Sequence, residues 1–190
     1  MIRRWPLVGV LAMLLLGWAV GQHSTPVDDW FQRYRHSPAH WLLFFTDPRV
    51  LAILLAAGLA AALIRRQWRL AVVMLLAPPV AIALVGLVKR LFDREKGGAL
   101  AYPSGHTTVA VVVLGMVVLA AGAGLWARLG AVLACALGML GQAVTYHYFT
   151  DTVGAVLLGT AVVCLAARIA LPPPQLDTCQ PRCDVDHNAG

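Results

Sequence analysis

Lys89 with Arg94 and Lys96, the tetrapeptide Pro103-Ser104-Gly105-His106, His147, and Asp151 are the polar groups that interrupt an otherwise apolar chain. Their types suit one chemistry. A neutral imidazole can attack phosphorus, and cations with free backbone amides can hold the phosphoryl oxygens. His147 and Asp151 are spaced i, i+4 across the Tyr148-Phe149-Thr150 corner. A carboxylate that accepts from one ring nitrogen fixes the tautomer and leaves the other nitrogen free to attack. Pro103 and Ser104 favour a helix start, Gly105 permits close backbone approach, and free N–H groups there attract an anion such as phosphate. Lys89, Arg94 and Lys96 would neutralise that phosphate and the charge that develops during transfer. The set points to phosphoryl chemistry on a lipid.

Each group alone has a plainer explanation. The tetrapeptide reads as an ordinary capping turn, the His–Asp pair as a structural hydrogen bond, and the cations as anchors ending a membrane helix. Arg90 fits the anchor reading best. Ionisable residues in membrane segments are costly and mostly functional, and all three explanations would have to coincide at one face. His106, His147 and Asp151 would also make a two-His, one-carboxylate metal set. Nearby Lys and Arg repel a cation and suit an oxyanion better, so no metal and no cofactor is expected.

Membrane helices must position these residues. Of 190 residues, 59% are hydrophobic and 13% charged, with a mean hydropathy of +0.73. Soluble domains hold only about 45–50% apolar residues. Apolar segments fall at roughly 6–21, 50–64, 70–92, 107–126, 129–149 and 152–171. The expected fold is therefore an all-α integral membrane protein, a six-transmembrane-helix bundle over residues 1–171, with the active site at one membrane face. Residues 172–190 read as a short disordered cytoplasmic tail, and Cys179, Cys183 and His187 there as incidental rather than a metal site. Cys135 and Cys164 read as small hydrophobes. Ile2-Arg3-Arg4 followed by an apolar run and Ala19-Val20-Gly21 mimics a cleavable signal peptide, but the five further segments favour an uncleaved anchor. The net charge of +6 comes without a basic stripe of interleaved aromatics, which argues against nucleic acid as a partner.

Counting connections places the site. Lys89 closes the third span, Pro103–His106 opens the fourth, His147 closes the fifth and Asp151 opens the sixth, so all share one face. Residues 22–49 lie there too, with Asp28-Asp29-Trp30-Phe31 as an amphipathic cap. Eight Lys and Arg residues fall on the tail side and seven on the other. Setting the Lys89–Lys96 cluster aside as a site leaves eight against three, which puts the N-terminus in the cytoplasm and the site on the extracytoplasmic side of the plasma membrane.

These residues resemble the type 2 phosphatidic acid phosphatase superfamily, whose motifs are K-x6-R-P, P-S-G-H and S-R-x5-H-x3-D on a six-helix membrane core. Pro103, Ser104, Gly105 and His106 match P-S-G-H in full, and His147 with Asp151 match H-x3-D. The resemblance spans Lys89 to Asp151 by motif and the chain by architecture. It implies that His147 is the nucleophile forming a phosphohistidine, that Asp151 orients it, and that His106 protonates the leaving group. It implies that Lys89, Ser104 and the Gly105 amide hold phosphate oxygens, without a metal.

Two departures stand out. Lys96-Gly97 occupies the place of Arg-Pro in the first motif, so either Arg94 or Lys96 supplies the cation. Leu140-Gly141 occupies the place of Ser-Arg in the third, which removes a bidentate ligand that Lys cannot replace geometrically. Gln142 is adjacent but uncharged, and Arg33, Arg35, His36 or His40 of the first outer loop are the substitutes on offer. The expected activity is hydrolysis of a lipid phosphate or a polyprenyl phosphate or diphosphate. A silent anionic-lipid binder or transporter, or a lipid phosphotransferase, is the alternative. No residue selects the lipid, and oligomeric state is left open: Gly154-Ala155 and Gly159-Thr160 fit packing inside one bundle as well as between copies.

Overall fold

The computed structural model describes residues 4–35 and 37–171. Helices α1 (Trp5–Val20), α2 (Pro26–Gln32) and α3 (Pro48–Ile64) each carry proline in the first turn, where its missing N–H leaves no intrahelical bond unmade. Asp47 caps α3 by accepting from the amides of Arg49 at 2.7 Å and Val50 at 3.4 Å. A 3-10 helix, Pro38–Thr46, joins α2 to α3. Helix α4 (Trp68–Phe92) stops at Asp93, which takes a left-handed φ of 48°. The chain then makes a small antiparallel hairpin, β1 (Glu95–Lys96) with β2 (Ala99–Leu100). Its turn is Gly97-Gly98 at φ 61° and 78°, and a two-residue turn with positive φ at both positions favours glycine. Helices α5 (Gly105–Ala120), α6 (Leu125–Thr145) and α7 (Phe149–Ala170) complete the chain.

Four helical stretches, Pro38–Ile64, Trp68–Phe92, Leu125–Thr145 and Phe149–Ala170, are long and apolar enough to cross a membrane. The chain is an all-α integral membrane protein. Helices α1 and α5 are shorter, at 16 residues each, and rise about 24 Å against roughly 30 Å of hydrocarbon. Each expected apolar segment overlaps one of the helices α1, α3, α4, α5, α6 and α7. The boundaries differ where they matter: the segment expected over 129–149 stops at Thr145, so His147 lies in the turn beyond α6 rather than closing it. The hairpin was not anticipated. The expected tail, with Cys179, Cys183 and His187, lies outside the described residues.

Helix α5 is the centre of the bundle, with α3, α4, α6 and α7 around it. Val112 and Met116 are fully buried there with Met74 and Ala81 of α4, and a helix apolar on all sides belongs in such a position. Its approach to α7 is close: a Cβ at Gly115 would meet Val163 Cγ2 at 2.5 Å, and one at Gly159 would meet Val111 Cβ at 2.8 Å. Gly154 faces the Tyr102 ring in the same way, so the small residues of α7 are used inside the bundle. Helix α1 lies along α7, tied by a hydrogen bond from Trp5 Nε1 to Thr160 Oγ1 at 3.1 Å.

Candidate active site

Four chain ends meet at one end of the bundle: the last turn of α4, the hairpin, the start of α5, and the α6–α7 turn. They enclose a cavity of about 750 Å³ whose lining includes Lys89, Lys96, Gly105, His106, Thr145 and His147. Its remaining wall is largely apolar, with Leu51 of α3, Ile82 and Val85 of α4, and Val109 of α5. One end of the space is cationic and imidazole-bearing, and the rest can hold hydrocarbon.

Local sequence explains each placement. Ser104 caps α5, its hydroxyl accepting from the Thr107 amide at 3.4 Å and pairing with Thr107 Oγ1 at 3.1 Å. Gly105 and His106 are thereby set in the first helical turn, where amides are free and the dipole is positive. Lys89, in the last turn of α4, donates to the Leu100 carbonyl across the hairpin. Lys96 donates to the His147 carbonyl at 2.7 Å and stands 4.6 Å from the Tyr148 ring centroid. Burial chiefly, opposed by the attraction of Asp151, lowers the Lys96 ammonium to about 8.

Arg94 has a different place from the phosphate ligand it was expected to be. It is 1% exposed and does not line the cavity. Its Nη1 donates to Asp151 Oδ1 at 2.7 Å and Thr150 Oγ1 at 2.8 Å, and its Nη2 to Asp28 Oδ2 at 3.0 Å and the His23 carbonyl at 2.8 Å. The physical reason is that two buried carboxylates outcompete a solvated cavity for the guanidinium. Of the two candidate cations in the first motif, only Lys96 reaches the cavity.

Asp151 is fully buried and is bound on both oxygens, by Arg94 and by the Tyr148 amide at 3.0 Å. Its Oδ2 lies 3.8 Å from His147 Nδ1, longer than a hydrogen bond. The expected His147–Asp151 hydrogen bond is therefore an ion-pair-range contact, and Nδ1 is buried without a partner among the described residues. The imidazole itself is held through its own backbone: Lys96 and Gln32 Nε2, at 3.2 Å, both donate to the His147 carbonyl. Ser104, also fully buried, spends its hydroxyl on the cap and is not in the cavity lining. The two-His, one-carboxylate metal set is not assembled, and among the described residues no cluster of three or more His, Cys, Asp or Glu could hold an ion.

Sequence reasoning missed Asp28 as part of the site. It accepts from Thr25 N and Oγ1 at 3.0 and 2.9 Å, from the Thr150 amide at 2.9 Å, and from Arg94. Burial alone would raise its pKa, and the bonds from Thr150 and Thr25 outweigh that, leaving it below the ordinary carboxylate value. With Phe31 stacked on Phe149 at 4.4 Å and Gln32 bonded to the Ala143 carbonyl at 2.7 Å, Asp28 docks α2 over the α6–α7 turn. The available signal was the Thr25-x-x-Asp28 capping box.

The third-motif departure has a steric basis. A Cβ at Gly141 would lie 2.8 Å from both the Leu42 carbonyl carbon and the Leu43 nitrogen. The backbone of the 3-10 helix thus fills the room an arginine side chain would need. Gln142 is turned away and donates to Thr46 Oγ1 at 2.8 Å. Of the proposed substitutes, Arg35 lines the cavity, exposed Arg33 and His40 do not, and His36 lies outside the described residues. Arg90 is exposed and apart from the cavity, as an anchor would be.

No protein-family model and no curated protein matches the chain. Among solved structures, the crystal structure of the first transmembrane PAP2 type phosphatidylglycerolphosphate phosphatase from Bacillus subtilis shares its fold, with a TM-score of 0.70 over 86% of this chain and 94% of that one. Identity between the two is 18%. The fold is the one that the P-S-G-H and H-x3-D resemblance implies.

Proposed function

We propose that this protein is a membrane lipid phosphatase that hydrolyses a lipid phosphate, or a polyprenyl phosphate or diphosphate, through a phosphohistidine. The observation that carries this reading is one cavity lined by His106, His147, Lys89 and Lys96 and continued by an apolar wall. The shared fold with a solved lipid phosphatase supports it.

In the proposed reaction, the free nitrogen of neutral His147 attacks phosphorus and a P–N bond forms as the P–O bond to the lipid breaks. His106 gives its proton to the departing oxygen. Water then attacks the phosphohistidine, His106 takes up the water's proton, and the P–N bond breaks to return His147 as inorganic phosphate leaves. Lys89, Lys96 and the Gly105 amide stabilise the charge that gathers on the phosphoryl oxygens. Asp151 acts on His147 through charge at 3.8 Å, favouring the imidazolium-like phosphohistidine over the free base. No step requires a metal, so strong chelation should leave turnover intact.

The expected membrane arrangement accompanies this reading: six spans, the cavity at the extracytoplasmic surface and both termini in the cytoplasm. Exposed Trp18, Trp41, Trp68 and Trp126, near helix ends, suit anchorage at headgroup level. A second reading, a silent anionic-lipid binder or transporter, draws on Gly141 and on Arg94, which leave fewer guanidinium ligands for phosphate. Phosphotransfer to an acceptor other than water is a third.

Phosphate release from a panel of phosphatidate, phosphatidylglycerol phosphate and polyprenyl phosphates tests the choice. The wild-type protein should release phosphate from at least one, and His147→Ala from none. Retained lipid binding without any release would favour the second reading, and full turnover by His147→Ala would exclude the mechanism.

A further inference from the structure

The loop between α2 and α3 does two things at once at this site. Its Leu42–Leu43 backbone closes off the space at Gly141, where the third motif would place an arginine. Seven residues upstream, the same loop brings Arg35 to the cavity lining, which Lys89, Lys96 and Thr145 share. We infer that Arg35 is the phosphate-binding guanidinium of this site, supplied from the loop in place of the arginine that α6 lacks. The inference rests on the phosphatase reading above.

Three observations support it. Among the described residues, the cavity without Arg35 offers two ammonium groups, Lys89 and Lys96, each partly committed to a backbone carbonyl. Neither can form the two-pronged contact that a guanidinium makes with phosphate. Arg35 is close enough to Lys96 for its charge to contribute, after burial and Asp151, to the balance that sets the Lys96 ammonium. Cations that repel one another across a cavity are stabilised when an anion sits between them. Finally, Thr145 Oγ1, on the cavity wall, is buried with no hydrogen-bond partner among the described residues, a further polar atom available to a phosphate.

The loop is held in place by contacts that do not involve Arg35. Gln32 is bonded to the Ala143 carbonyl in the last turn of α6, and the Gln142 amide is bonded to Thr46. Substituting exposed Arg35 should therefore leave the fold intact.

The test compares Arg35→Ala, Arg35→Lys and Arg33→Ala for turnover of a lipid phosphate and for calorimetric binding of inorganic phosphate. Arg35→Ala should lose about 10- to 100-fold in kcat/KM and a similar factor in phosphate affinity, the worth of a charged hydrogen-bonded contact. Arg35→Lys should recover only part of that loss, and Arg33→Ala should stay within about twofold of wild type. If the wild type turns over, His147→Ala does not, and Arg35→Ala keeps its rate and affinity within about twofold, Arg35 is not the ligand although the phosphatase reading survives. If no protein turns over, the binding arm decides alone. Loss of phosphate affinity in Arg35→Ala upholds an anion site without hydrolysis, and unchanged or absent affinity overturns the assignment.

Discussion

Arg94 and Lys96 are two residues apart, and both stand against the Tyr148 ring, at 4.5 and 4.6 Å. Only burial separates them. Arg94 is sealed between Asp28 and Asp151, while Lys96 opens on the cavity and keeps a titratable charge. Because the Lys96 ammonium is lowered to about 8, it is protonated below that pH and neutral above it. On the phosphatase reading, kcat/KM, which reports the free enzyme, should fall as pH rises through about 8. Lys96→Arg should move that alkaline limb upward, since a guanidinium stays charged. A pH–rate profile of both proteins checks this. The sign for stability is opposite: between about 8 and 10.5 the unfolded chain holds the proton that the folded chain has lost, so this group makes folding more favourable as pH rises. Placement at the cavity was legible where the pattern was local, as for His106 of P-S-G-H and His147 of H-x3-D. The choice between Arg94 and Lys96 was not, because it is made by carboxylates 66 and 57 residues away.

Among the elements, α2 has the most work for its length. Seven residues connect to the start of the hairpin through Arg94, to α7 through Thr150 and Phe149, and to α6 and the turn beyond it through the Ala143 and His147 carbonyls. Asp28-Asp29-Trp30-Phe31 read as an amphipathic cap, but nothing in that reading showed that Asp28 would turn inward. Arg94 is the node where these elements meet. Arg94→Gln should cost about 3–5 kcal/mol, because it leaves two buried carboxylates without their counter-ion. Thermal unfolding in detergent measures this, and Lys96→Gln, at the cavity, should unfold close to wild type while losing activity. Equal unfolding temperatures for wild type and Arg94→Gln would show that the ion pairs do not hold α2 to the bundle. The same scale explains Gly141. Its identity reads as a loss from sequence, and only the contact with Leu42–Leu43 shows what occupies the room.

For the whole molecule, hydropathy located α1, α3, α4, α5, α6 and α7, since an apolar run in hydrocarbon satisfies its backbone as a helix. Exact ends and the hairpin were less legible, because glycine and aspartate at positive φ stop α4 and turn the chain through local geometry that hydropathy does not register. The order of helices puts the α4–α5 hairpin and the α2–α3 loop at one end, and the α3–α4 and α5–α6 turns at the other. On the proposed orientation, a single cysteine at Gly98 in a background without native cysteines should react with a membrane-impermeant maleimide added to intact cells. One at Gly122 should react only after permeabilisation. The reverse pattern would invert the orientation, and labelling of both from outside would break the six-span arrangement.

The nucleophile is the claim on which the functional account turns, and it can be trapped. Rapid quenching of His106→Ala with a lipid phosphate labelled in the phosphoryl group and carrying a good leaving group should give an acid-labile, base-stable phosphoprotein. Peptide mapping should place the label on His147. Label on another residue, or turnover with no covalent phosphoryl group on the protein, would contradict it.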